Sequence, residues 1–379
     1  MKTFLSWAKK LLPWILAAGL ILFGYAGFKI LRSAFPIEPT AFYTPPNPLP
    51  DGAPGTIIRS EPITDNVPDG AQAWRVMYLS TGVHGEPVAV TSIIAAPVEP
   101  SAEPRPVIAW AHGTLGVLPA CGTSHLDDPF AAIPEVPRLL QEGYVLAATD
   151  YPGIGAPGVH PYLFGEVEAD SVLDSVRAAQ QLDINAGNRF AVWGHSQGGH
   201  ATLWTAMEAA DYAPELNLVG AAAIAPATDL EGILETGKDS MAGAVLFPLV
   251  IKSWSAYAPD INLTDLITPD AVDQVEALGD LCVTTPAALL FHKLNPPADY
   301  LISDPTQNET IRALIAANTP DGPIDVPLLI VHGTADSVIP YEGGVRKPNG
   351  AALPVKMSNW TSTPATTTLR YWKVPMPMS

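Results

Sequence analysis

Six residues in the chain have the types and spacing of a serine nucleophile. Gly194-His195-Ser196-Gln197-Gly198-Gly199 lie between the apolar run Phe190–Trp193 and the helical pattern Gly199–Ala210. At a strand-to-helix turn, glycines permit a tight, strained backbone that lifts the serine hydroxyl out of the sheet and lets the helix close in beneath it. The N–H of Gln197, at the start of that helix, would face the oxyanion of a tetrahedral intermediate, a donor whose removal costs about 2.7–4 kcal/mol. A second donor is needed. The run Val107–Ala111, followed by His112-Gly113-Thr114, supplies it at Gly113, where glycine allows the backbone to approach closely. His112 is read as structural. The acid that would orient a base should follow a late strand, and Leu328–Val331 leads into His332-Gly333-Thr334-Ala335-Asp336. Asp336 follows Ser196 in the order a Ser, Asp, His triad requires; Asp150, Asp229 and Asp325 are its rivals.

The elements that must hold these groups are legible as short apolar runs alternating with helical patterns, the signature of a doubly wound, mostly parallel sheet. Ala73–Ser80 and Ala89–Ala96 read as a leading antiparallel pair. Val107–Ala111, Tyr144–Thr149, Arg189–Trp193, Leu218–Ile224 and Leu328–Val331 read as the strands that follow. Val167–Gln181 and Gly199–Ala210 suit crossover helices, the first with acidic residues at its start, where the helix dipole favours them. Residues 229–319 break the alternation and read as a helical cap inserted above a core formed by 57–228 and 320–379. Within the cap, Met241–Trp254 is apolar enough either to line an acyl pocket or to serve as core.

With these residues on the page, the chain resembles the secretory lipase family, the lipase A type of α/β-hydrolase. The likeness runs from about Trp74 to Tyr341 and rests on Thr149–Gly155 (TDYPGIG), VLDSVRAA, GHSQGGHATLW with DYAPELNLVGAAAIAPATDL after it, and VHGTADSVIPY. The resemblance implies hydrolysis of acylglycerol-type carboxylic esters, a lid formed by the insertion, and export. It matches Ser196 to the nucleophile and Asp336 to the acid.

It also implies a histidine base about 30 residues beyond the acid. The eight histidines are 84, 112, 125, 160, 195, 200, 292 and 332, and none follows Asp336. Losing the base of a triad costs about 10⁶-fold in turnover, so the chain as written is expected to be nearly inactive. The tail KMSNWTSTPATTTLRYWKVPMPMS has neither the strand nor the helix that the fold still needs. Joining the third base of each codon to the first two of the next, permitted codons from Leu353 onward can read ASENVELDVYPGDDHTSVLE. In that frame Asn359-Trp360 gives Leu and Trp360-Thr361 gives Asp whatever codons are used, and a histidine falls near position 367. A frame change after about Tyr341 is therefore the expectation, against true loss of the base.

Composition narrows the alternatives. Twenty basic residues against 38 acidic give a formal charge of −18, which argues against nucleic acid as a partner. The five basic residues Lys2, Lys9, Lys10, Lys29 and Arg32 flank an 18-residue uncharged run, LLPWILAAGLILFGYAGF. It is about 27 Å long as a helix, against a bilayer core of about 30 Å. Residues 1–35 therefore read as a signal-anchor in the membrane with the body outside, or as a signal peptide whose cleavage releases a secreted protein. Seven prolines in 36–54 make 36–56 a stiff linker. An exported chain would oxidise a suitably placed thiol pair, which predicts a bridge between Cys121 and Cys282. No cofactor or metal is implied. Competing readings are a lipid-binding pseudo-hydrolase without turnover, and an acyltransferase or peptidase of the same fold.

Overall fold

The computed structural model of the chain describes residues 24–25, 40–237, 241–283, 286–336, 338–339 and 341. The anchor or signal stretch, Gly24 and Tyr25 apart, lies outside the described residues, as does the tail from 342 on which the frame change falls. Among the described residues no helix is long and apolar enough to cross a membrane.

Among the described residues eight strands make one sheet: β1 (Ile57–Ile63), β2 (Ala71–Thr81), β3 (Pro87–Pro97), β4 (Arg105–Ala111), β5 (Val145–Thr149), β6 (Ala186–His195), β7 (Asn217–Ile224) and β8 (Leu328–Val331). Their order across the sheet is β1-β2-β3-β5-β4-β6-β7-β8. The first three run antiparallel and join β5 antiparallel, with Ala73 opposite Ala95 and Ser80 opposite Val88 in the leading pair. From β5 through β4, β6 and β7 to β8 all pairings are parallel. The seven strands expected from the apolar runs are all present. The additional one, β1, has the sequence IIRSEPI. Its charges and proline mask an edge strand, where such residues are tolerated because one side of the ladder is unpaired.

Helices cover both faces, as a parallel sheet requires. Along β5 the side chains alternate: Val145 and Ala147 join a core with Val172, Val176 and Ala201, while Leu146 and Ala148 join another with Val136 and Leu140. The first face is covered by α2 (Gly165–Gln180) and α3 (Gln197–Tyr212), the second by α1 (Val136–Gln141). Between β7 and β8 come α4 (Leu230–Gly237), α5 (Met241–Tyr257), α6 (Val272–Gly279), α7 (Pro286–Lys293) and α8 (Glu309–Asn318). Of these, α4, α5, α6 and α8 build a core of their own with Val117 and the loop residues Tyr162, Leu163 and Phe164.

Two further features bear on the site. The proline-rich stretch does not act wholly as a spacer. A short turn at Ala41–Tyr43 buries Phe42 and Tyr43 against Met77, Ala89 and Ala156, and the Tyr43 hydroxyl donates to the Ser124 carbonyl at 2.6 Å. Two aromatic side chains among the prolines give this segment enough apolar area to dock. Cys121, in the loop after β4, is disulfide-bonded to Cys282, which follows α6.

Candidate active site

The sharp turn after β6 gives Ser196 φ 57° and ψ −118°, a conformation that costs a non-glycine residue about 1–3 kcal/mol and persists only where surrounding structure enforces it. Here the enforcement is visible. The Ser196 N–H donates to the Ile224 carbonyl at 2.9 Å, and its own carbonyl accepts from His200 N–H at 3.1 Å. The flanking glycines are dictated by space: a Cβ on Gly194 would lie 2.2 Å from the Gly198 carbonyl oxygen, and one on Gly198 would lie 1.9 Å from that of Ala111. β4, the turn and the start of α3 thus touch backbone to backbone.

Gly113 lies against the same turn. A Cβ there would stand 3.1 Å from the His195 carbonyl oxygen and 3.8 Å from Ser196 Cβ. The neighbouring His112 is buried, with ring nitrogens 2.7 Å from the Gly113 carbonyl and 3.2 Å from that of Asp150. Its imidazole is thereby committed to the loop's shape.

Asp336 sits in the turn after β8. One of its carboxylate oxygens accepts from the N–H groups of Val338 and Ile339 at 2.8 and 3.0 Å. Ile339 in turn lines the cavity that contains Ser196. The ring of His195 stays open to solvent beside Asp336 and His332, and its pKa is lowered by partial desolvation, partly restored by Asp336, and lowered further by His332. His332 is buried and donates from Nε2 to the Ile339 carbonyl at 2.9 Å; Asp336 is 3.8 Å away and the other ring nitrogen has no partner. The rival acids are placed elsewhere. Asp150 is fully buried, accepting from Thr91, Thr123 and the Ser124 N–H. Asp229 caps α4 through Gly232 N–H, and Asp325 is exposed ahead of β8.

Above Ser196 a narrow apolar cavity lies between the sheet and the inserted helices, lined by Leu230 of α4, Leu246, Val250 and Trp254 of α5, and Tyr162. A second narrow space shares Ile233, Leu234 and Leu246 with it and reaches Phe247, Pro297 and Leu301. The Tyr162 hydroxyl is engaged with Thr114 at 2.7 Å, so Ser196 presents its hydroxyl to an almost wholly apolar slot. Along helix α5, Leu246, Val250 and Trp254 line the cavity, and with Leu249 and Ile251 they belong to the core of the inserted helices.

Sequence reasoning missed the polar group beneath the turn. Glu168, read as an acid favouring the start of a helix, is fully buried, and so are His160 and His200. Burial pushes the His160 pKa down to about 3, so the ring is neutral. An acidic residue followed by a long apolar face was the only available signal, and it does not distinguish a surface acid from a buried one. Among the described residues no group of three or more His, Cys, Asp or Glu side chains could hold a metal ion.

A family model described as secretory lipase matches residues 132–348, more than half of the chain. The chain belongs to the secretory lipase family. Among its relatives, a protein named secreted triacylglycerol lipase LIP4 from Malassezia globosa is 28% identical over 329 residues, covering 79% of this chain and 70% of that one. Another, from Mycobacterium tuberculosis and named "Probable inactive lipase", is 24% identical over 348 residues, covering 82% and 74%. Among solved structures, the rice cell wall degrading esterase LipA from Xanthomonas oryzae superposes with a TM-score of 0.69 at 22% identity, covering 81% of this chain and 91% of that one. The fold is that of an α/β-hydrolase.

Proposed function

We propose that this secretory lipase family member is an exported serine hydrolase of carboxylic esters with an alkyl acyl chain. The observation that carries the reading is Ser196, held at φ 57° by glycine-gated backbone and lining a narrow cavity whose other walls are almost wholly apolar. Ser196 Oγ attacks the ester carbonyl; the N–H groups of Gln197 and Gly113 receive the oxyanion; the alcohol leaves; and water releases the acid from the acyl-enzyme. Asp336 orients the base. Export is supported by the basic and apolar N-terminal stretch and by the secreted lipase among the relatives.

The base this reading requires is the histidine of the shifted frame near position 367. His112 and His332 are committed to backbone carbonyls, while His160 and His200 lie in the buried group beneath the turn. That no histidine follows Asp336 in the 379 residues favours a second reading, a protein that binds acyl ligands in the same slot without turning them over. One experiment separates the two. The full chain is assayed against p-nitrophenyl esters of graded acyl length and labelled with a fluorophosphonate, beside Ser196→Ala. Hydrolysis and labelling that disappear in Ser196→Ala support the hydrolase. Fatty acid binding with neither hydrolysis nor labelling overturns it in favour of the binding protein, and the coding sequence of codons 341–379 shows which base is present.

A further inference from the structure

The buried polar group beneath the nucleophile turn converges on one carboxylate. Glu168, in the first turn of α2, accepts at Oε1 from the Leu163 N–H at 3.1 Å and from Gln197 Nε2 at 2.8 Å. At Oε2 it accepts from His200 Nδ1 at 2.8 Å. The second Nε2 hydrogen of Gln197 goes to His160 Nε2 at 2.7 Å, while His160 donates from Nδ1 to the Pro152 carbonyl. His200 Nε2 lies 2.7 Å from the carbonyl of Asn318, the last residue of α8, and accepts from Trp204 Nε1 at 3.1 Å. The Asn318 side chain then accepts from the Gly165 N–H at the start of α2. One oxygen pair therefore ties three parts of the molecule: the residue after the nucleophile, the loop whose Tyr162 and Leu163 line the cavity, and the point where the inserted helices return to the sheet. None of these residues is exposed, and within the hub only Gln197 Oε1 lacks a partner. Each bond is short and the surroundings exclude water, so cutting one arm leaves a buried donor unpaired.

We propose that Glu168 is a positioning residue that holds the oxyanion N–H of Gln197 in place and couples it to the seating of α8 and the cavity loop. The reaction part of this rests on the assignment of Ser196 as nucleophile; the coupling does not. Misplacing an oxyanion donor by a fraction of an ångström should lower kcat by about 10–100-fold with little change in KM, because the group acts on the transition state rather than on the bound ester.

The test uses the full chain with two variants. Glu168→Gln preserves the shape but cannot accept from all three donors. Gln197→Met cuts only the arm to the turn and retains the backbone N–H, so it serves if Glu168→Gln fails to fold. Hydrogen exchange at the amides of 197–201 should be at least 10-fold faster in a folded variant, with exchange at 172–179 unchanged. Hydrolysis of a p-nitrophenyl ester should show the drop in kcat at constant KM. Wild-type exchange at 197–201 in both folded variants, or wild-type kcat where the wild-type protein shows Ser196-dependent hydrolysis, overturns the proposal. Faster exchange in a protein whose wild-type form shows no such hydrolysis upholds the coupling and defeats the hydrolase reading instead.

Discussion

Replacing Gly198 with alanine tests whether backbone contact between β4 and α3 fixes the nucleophile turn. The added Cβ would lie 1.9 Å from the Ala111 carbonyl oxygen, 2.6 Å from its carbon and 2.7 Å from the His112 carbonyl oxygen. An ordinary contact begins near 3.4 Å, so strand and helix must separate by about 1.5 Å. All three obstructing atoms are backbone, in a strand paired on both sides, and no side chain can swing away. Overpacking of this kind costs about 1–3 kcal/mol, and more where nothing can yield. The same displacement carries Gln197 away from the nucleophile, and a misplacement of about 1 Å costs about 10²-fold in rate. The assay is urea denaturation followed by circular dichroism, beside ester hydrolysis. Gly220→Ala is the control: its Cβ would meet the Pro327 carbonyl oxygen at an ordinary 3.5 Å, and its midpoint should stay near that of the parent. A Gly198→Ala protein that unfolds at the wild-type urea midpoint would refute the argument, whatever its activity.

Other outcomes follow from the same geometry. Ser196→Gly should raise stability by about 1 kcal/mol while abolishing any hydrolysis, because glycine adopts the enforced φ without strain; a urea midpoint at or below wild type would contradict this. Asp170 is pushed up to about 8 by burial, with Asp174, Glu166 and Glu208 adding to it. A raised folded pKa contributes stability that is full below the unfolded value near 4 and is lost as pH rises through 8. Asp170→Asn should therefore flatten the fall in melting temperature between pH 5 and pH 9 and leave the variant more stable than wild type at pH 9. Leu246→Phe fills the space where the two cavities meet and should shift p-nitrophenyl ester preference toward shorter acyl chains; an unchanged chain-length profile would exclude this slot as the acyl site. Removing the disulfide by Cys121→Ser with Cys282→Ser opens a loop spanning 161 residues and should lower stability by up to about 5 kcal/mol in the chain-entropy account, measured by denaturant midpoint without reductant.

What the sequence revealed was what local pattern encodes. The GHSQGG turn could be read because a strand, a glycine-gated bend and a helix are contiguous, and each glycine answers to a contact within a few residues or with the neighbouring strand. The parallel strands could be read because residues buried on both faces leave continuous apolar runs. The edge strand Ile57–Ile63 was hidden, since being paired on one side only removes the need for an apolar pattern. The docking of Phe42 and Tyr43 was hidden for another reason: prolines dominate the local signal, while the surface those rings meet comes from Met77, Ala89 and Ala156. Nor could the Glu168 hub be foreseen. Its members at 160, 163, 168, 197, 200 and 318 meet only after β6 and α2 are packed, and no spacing announces a carboxylate that ends up with three buried donors.

The bond between Cys121 and Cys282 restricts how the inserted helices can move. The inserted helices join the sheet at both chain ends, and the disulfide adds a third attachment beside the loop that begins at Gly113; the Val283 N–H reinforces it by donating to the Leu115 carbonyl at 2.8 Å. With three fixed points a slab cannot lift away as a flap; it can only flex between them. With the two thiols reduced, the slab keeps its chain ends, its packing on Val117 and Tyr162–Phe164 and the bonds of Ser253, Trp254 and Tyr257 to the 159–162 loop, but loses the covalent point. Oxidation of the two thiols therefore adds a covalent tie, well apart from the two chain crossings, to a roof that packing and hydrogen bonds already hold.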